Sequence, residues 1–217
     1  MKNRFDLIIF DWDGTLADSV DWIVQSLQIA AKECDCPIPE YQATKSIIGL
    51  SIDKAMNILF PEADALITEQ LIKCYRQAFY SKKMTQDDLF LGVNTMLQQL
   101  KQLGYTLAVA TGKSRSGLDR ALQATQTAEL FSITRCADET ASKPNPKMIE
   151  EIIQHTQITA ERTLMVGDST HDLKMAQNAN VSAIGVSCGA HSESLLQQYQ
   201  PLLCLKQTTE LLEIMKG

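Results

Sequence analysis

Apolar residues along this chain follow two rhythms. One is the short unbroken run: Leu7-Ile8-Ile9-Phe10, then 106–110, 164–166, 183–186 and, less cleanly, 202–205. Runs of this length, bounded by polar residues or glycine, predict strands buried on both faces of a parallel sheet. The other rhythm is helical. Across 92–104, Val93, Met96, Leu97, Leu100 and Leu103 fall at the spacing of one helix face, and Gly104 is placed to end that helix. Pro146 is suited to open a helix carrying Met148, Ile149, Ile152 and Ile153 on one side, and Thr208 to cap a last one with Leu211, Leu212 and Met215. Strands alternating with helices predict an α/β fold: a doubly wound parallel sheet covered on both faces.

The stretch 16–85 breaks that alternation. It reads as helix after helix, around 22–32, Ile52–Leu59 and 67–79, with no strand between them. Some 70 helical residues directly after the first strand predict an inserted helical subdomain over 16–85, with the core assembled from 1–15 and 86–217. The competing reading packs these helices on the sheet as part of one domain.

Composition narrows the class. Hydrophobic residues make up 45% of the 217 and charged residues 21%, ordinary values for a globular chain with a sizeable core. No apolar run reaches the roughly 18 residues of a membrane span, and Asp6, Asp11 and Asp13 interrupt the only run a signal peptide could use. A cytoplasmic location is the expectation. The net charge of −6, without a Lys/Arg cluster, argues against a nucleic-acid or membrane partner. The six cysteines lack metal-site spacing and are expected to be reduced, mostly buried thiols.

Four segments carry chemistry. Asp11-Trp12-Asp13-Gly14-Thr15 follows the first strand directly, where ligands bind in open parallel sheets. Residues two apart in extended chain face the same way, so both carboxylates can address one site, and Gly14 permits the sharp turn after them. Neighbouring carboxylates repel unless a cation relieves them, and Mg2+, a hard ion suited to oxygen ligands and phosphate substrates, is the natural partner. Thr111-Gly112-Lys113 ends the second strand and offers a hydroxyl and accessible N–H groups to phosphate oxygens. Lys143-Pro144 places a lysine restrained by nearby prolines. Gly167-Asp168-Ser169-Thr170-His171-Asp172 adds two carboxylates that share a face if a helix begins there. In a parallel sheet all strand carboxyl ends lie on one edge, so the segments that end strands converge.

In order and over nearly the whole chain, these segments resemble the four motifs of the haloacid dehalogenase superfamily. The helical insert is similar to that superfamily's first type of cap, and Ile48-Gly49-Leu50-Ser51-Ile52 with Lys143-Pro144-Asn145-Pro146 resembles its phosphoglycolate phosphatase-like branch. The resemblance implies a Rossmann-like core and phosphomonoester hydrolysis through an aspartyl phosphate. Asp11 is then the nucleophile, and Asp13 protonates the leaving oxygen and later activates water. Thr111, Gly112 and Lys143 hold the phosphoryl group. Asp11, the main-chain carbonyl of Asp13 and Asp168 hold Mg2+, with Thr15 and Asp172 supporting them. The expected partner is a small phosphorylated metabolite, phosphoglycolate first among candidates, and the expected assembly a monomer or weak homodimer.

Three related readings compete. A phosphosugar mutase would share the aspartyl phosphate, but mutases often carry a basic cap residue where this chain has Ile52. A carbon–halogen hydrolase lacks the second aspartate, present here as Asp13. A silent binding protein is unsupported, since every motif position is filled. His171 is read as a helix-start residue, Trp12 as packing in the core or cap, and His155 and His191 have no partner spacing. Lys45, Ser51 and Lys54 flank the Gly49 segment and are read mainly as solvated helix surface. A serine hydrolase and a P-loop nucleotidase lack their signatures.

Overall fold

The computed structural model describes Met1 and residues 4–216. Six parallel strands form one sheet: β1 (Leu7–Phe10), β2 (Thr106–Thr111), β3 (Ile133–Cys136), β4 (Thr163–Gly167), β5 (Ser182–Val186) and β6 (Leu203–Leu205), in the order β3-β2-β1-β4-β5-β6. This is the doubly wound arrangement expected, with β1 at the centre. Phe10 pairs with both Val109 and Val166, so the loops after β1, β2 and β4 leave the sheet side by side.

Strand alternation divides the core. Ile8 and Phe10 face Val93, Leu97 and Leu100 of α5 (Val93–Gln102), Leu118 and Ala121 of α6 (Arg115–Thr125), and Leu211 and Met215 of α10 (Leu211–Lys216). Leu7 and Ile9 face Met148, Ile149 and Ile152 of α7 (Lys147–Thr156), Leu173 and Ala176 of α8 (Thr170–Asn178), and Leu196 of α9 (Glu193–Gln197). Residues 7–10 are buried throughout, so their unbroken apolar run is what a central strand covered on both faces requires. Trp12 joins the first of these layers, fully buried with its edge towards Phe131.

Between β1 and α5 run α1 (Val20–Glu33), α2 (Tyr41–Ser46), α3 (Ile52–Leu59) and α4 (Ala65–Ser81). They enclose a separate apolar cluster that includes Val24, Leu27, Ile48, Met56, Leu71 and Phe79. The two connections to the sheet run side by side: Asp18 donates its N–H to the Asp88 carbonyl, and Phe90 to that of Leu16.

Several expectations are corrected. β3 has no counterpart in the apolar pattern, because this edge strand carries Thr134 and Arg135 between its buried ends, with Arg135 paired to Glu151. The short helix α2, and α6 and α9, also lie outside the predicted set. Thr208 does not cap the last helix. Gln207 caps the turn at Thr208–Glu210 reciprocally with Glu210, leaving the buried Thr208 hydroxyl to donate to the Thr15 carbonyl at 2.6 Å. Of the cysteines only Cys136 is buried; the other five are partly exposed, and all are free thiols. No helix among the described residues is long and apolar enough to cross a membrane.

Candidate active site

The carboxyl edge of the sheet gathers the segments singled out from sequence. Asp11 leaves β1 with its N–H bonded to the Val166 carbonyl, and its side chain is fully buried. The Lys143 ammonium, itself fully buried, sits 2.7 Å from Asp11 Oδ1 and 2.7 Å from Asp172 Oδ1. Carboxylate oxygens of Asp11, Asp168 and Asp172 all lie within 4.8 Å of one another. Three carboxylates against one ammonium leave an excess of two negative charges in a site closed to water.

The local chain explains how so much charge is held. Thr15 Oγ1 donates to Asp168 Oδ1 at 2.9 Å, and the Ala190 N–H to Asp168 Oδ2 at 2.6 Å. Ser169 caps α8 and Asp172 completes the capping box, its Oδ2 accepting from the Ser169 N–H and hydroxyl while Oδ1 faces Lys143. Gly14 has φ +79°, and a β-carbon there would lie 2.2 Å from Asp168 Oδ2, so both the turn and the close approach require glycine. Asp11 Oδ2 has no hydrogen-bond partner.

Burial, reinforced by Asp172 and Asp168, pushes the Asp11 carboxyl well above the ordinary carboxylate range, although Lys143 opposes it. Burial first and Asp172 second push Asp168 up to about 7, against the lowering effects of the Ala190 N–H, Thr15 and Lys143. Burial works against the Lys143 charge, but Asp11 and Asp172 outweigh it and hold the ammonium protonated. Acidic groups this close and this buried raise one another, and a cation between them would relieve the repulsion. The donor set is all oxygen, buried and doubly negative in excess, with one orphaned carboxylate oxygen, and it fits a hard divalent ion.

Asp13 stands apart. Its carboxylate accepts from Lys113 Nζ at 2.8 Å to each oxygen and from Ser19 Oγ at 2.6 Å. The chain bends at Trp12, and each aspartate has its own lysine. Thr111 is buried at the end of β2, its Oγ1 accepting from the Lys113 N–H, and Gly112 lies beneath the carbonyls of Gly49 and Leu50.

The helical segment reaches this edge through residues 46–54. Ser51 N–H donates to Ser142 Oγ at 2.9 Å, so this residue is not the plain solvated surface expected of it; Lys54 is exposed on α3 as expected, with its Nζ also reaching the Lys143 carbonyl at 3.3 Å, and Lys45 is partly exposed. His171 begins α8 as expected. His191, which has no sequence spacing that suggests chemistry, accepts from the Thr170 N–H with its Nδ1, which leaves Nε2 to carry the proton near the Ser46 carbonyl, where His171 Nε2 also lies. Lys113, Ser19, Ala190, His191 and Thr208 were not singled out as functional. Only Lys113, inside a quoted motif, carried a signal that could have marked it.

A fold wound this way, with an aspartate-rich pocket where β1 meets its neighbours, matches a known family. Residues 8–186 match the model of the family described as haloacid dehalogenase-like hydrolase. The "Probable phosphatase IndB" of Dickeya dadantii is 34% identical over 209 residues, 94% of this chain and 90% of that protein. Pyrophosphatase PpaX of Bacillus mycoides is 26% identical over 98% of this chain and 97% of its own. A hydrolase from Pseudomonas syringae superposes with a TM-score of 0.86 over 97% of each chain, and at 21% identity it shows the fold alone. The chain belongs to the haloacid dehalogenase-like hydrolase family, in line with the resemblance read from its motifs, and is an enzyme of the hydrolase class.

Proposed function

We propose that this protein is a magnesium-dependent phosphatase that hydrolyses a small soluble phosphomonoester through an aspartyl phosphate on Asp11. The observation that carries the reading is the division of labour between the two aspartates. Asp11 is sealed in with Lys143, Asp168 and Asp172, while Asp13 is held outside that cluster by Lys113 and Ser19. A nucleophile and an acid–base group need this separation.

In this reading Asp11, the main-chain carbonyl of Asp13 and Asp168 hold Mg2+, with Thr15 and Asp172 behind them. When bound, the ion supplies the positive charge that lets a carboxylate approach a phosphate dianion. Asp11 Oδ attacks phosphorus and the ester oxygen leaves with a proton from Asp13; Asp13 then takes a proton from the water that cleaves the acyl phosphate. The Lys143 ammonium, fixed between Asp11 and Asp172, and the Thr111 hydroxyl with the Gly112 N–H neutralise charge on the transferring group. Residues 16–85 serve as a cap that excludes competing water. We place the enzyme in the cytoplasm, acting without nucleic-acid or membrane partners, as a monomer or weak homodimer. Phosphate release from a phosphomonoester panel with Mg2+, for wild type and Asp11→Asn, tests the reading. Turnover that survives Asp11→Asn, or that needs no divalent ion, sinks it.

A further inference from the structure

A partly open cleft links Asp13 to the helical segment. It has a volume of about 90 Å³ and is lined by Asp13, Gly112 and Lys113 on the sheet side. Asp11, Lys143, Asp168 and Asp172 do not line it. In the phosphatase reading, on which this inference rests, Asp13 protonates the leaving oxygen. The space beyond Asp13 is therefore where the departing alcohol sits.

We infer that this cavity selects phosphate esters of short, largely hydrocarbon leaving groups, about two to four carbons long, and rejects sugar phosphates and inorganic pyrophosphate. Size comes first. Pockets for drug-sized ligands begin at about 300 Å³, so this one has room for only a few non-hydrogen atoms.

Polarity points the same way. The opposite walls are mostly hydrocarbon, with Ile23, Leu27, Leu50, Ala55 and Phe79, and the polar groups among them are few: Tyr75 and Tyr80, with Ser114 on the sheet side. Of the two cations on the lining, Lys113 is committed to both oxygens of Asp13 and covered by the Phe79 ring, its nitrogen 4.8 Å from the ring centre. That leaves Arg76, an exposed residue on the lining, as the cation able to meet one anionic terminus. A hexose would bring more hydroxyls than these few polar groups can meet, and a departing phosphate would bury its charge against mostly hydrocarbon walls.

The test is kcat/KM for phosphate release by the purified full chain with Mg2+. The substrates are propyl phosphate, phosphoglycolate, glucose 6-phosphate and pyrophosphate. We expect the two short esters to exceed the other two by about tenfold or more. Leu27→Ala, which widens the wall, should raise glucose 6-phosphate relative to propyl phosphate at least about fivefold. Ala55→Val, a milder change that fills the space and guards against misfolding of the first variant, should lower propyl phosphate more than phosphoglycolate. Preference for pyrophosphate or the hexose phosphate in wild type overturns the size and polarity assignment while leaving the phosphatase reading intact. So do substrate ratios unmoved by both folded variants. No phosphate release from any of the four overturns both.

Discussion

Lys113 places its ammonium 2.8 Å from both carboxylate oxygens of Asp13, with the ring of Phe79 from the helical segment on its other side. The pair is nearly closed to water, and it ties Asp13, the proposed acid–base group, to α4 as well as to the loop after β2. Lys113→Met should leave Asp13 without its main anchor, since Ser19 then holds it alone. We expect kcat to fall about ten- to a hundredfold, less than the loss from removing an acid–base group outright. Lys113→Arg should recover part of it, because a guanidinium can also meet both oxygens. Steady-state phosphate release decides this, and an unchanged kcat in Lys113→Met refutes it.

Asp11→Asn separates catalysis from stability. If Asp11 is the covalent nucleophile proposed above, its loss should cut turnover about a thousandfold or more. The same change removes a buried carboxylate whose charged form is disfavoured by burial and by Asp172 and Asp168, more than Lys143 favours it. In chelator at neutral pH the variant should therefore melt at or above the wild-type temperature. Differential scanning calorimetry measures this, and a marked drop in melting temperature would contradict the electrostatic account.

Gly189 is where a single methyl group reaches the acidic cluster. A β-carbon there would lie 2.2 Å from Asp168 Oδ2 and 2.3 Å from the Gly14 carbonyl. Both neighbours are fixed, so Gly189→Ala should displace Asp168 rather than be absorbed. We expect the Mg2+ concentration for half-maximal activity to rise about tenfold or more, within the range that disturbed ligand support causes. Titration of activity with Mg2+ checks it, and an unshifted midpoint removes Asp168 from the set of ligands.

What the sequence made legible was whatever depends on local order. The run at residues 7–10 announces a strand buried on both faces, and a strand-end position then suffices to place Asp11, Thr111 and Asp168 on one edge. β3 was hidden because an edge strand can carry Thr134 and Arg135 without an apolar signature. Ser19, Ala190 and Thr208 were hidden for a different reason. Their contacts to Asp13, Asp168 and Thr15 span from 6 to 193 residues of chain, and serine, alanine and threonine have no pattern that announces such a bond. Even Asp13 was only half legible: its proximity to the site followed from spacing, but its partner Lys113, 100 residues away, did not.

The last prediction concerns pH. Burial and Asp172 raise Asp168 from the ordinary 3.8 to about 7 in the folded, metal-free protein. A carboxyl with a raised folded pKa binds its proton more tightly folded than unfolded. Its contribution to stability is therefore fully present below about pH 3.8 and is lost as pH rises through about 7. A divalent ion held by Asp168, as proposed, would compete with that proton for the same oxygen, so its effect would have the opposite slope. In EDTA, this group makes the protein less stable at pH 8 than at pH 5.5. With excess Mg2+ the melting temperature should rise at both pH values, and clearly more at pH 8. Thermal melts in matched buffers, with and without Mg2+, measure the two slopes. In Asp168→Asn, which cannot titrate at this position, the difference between the Mg2+-induced shifts at pH 8 and pH 5.5 should shrink. A difference as large as in wild type would mean that another group governs ion binding.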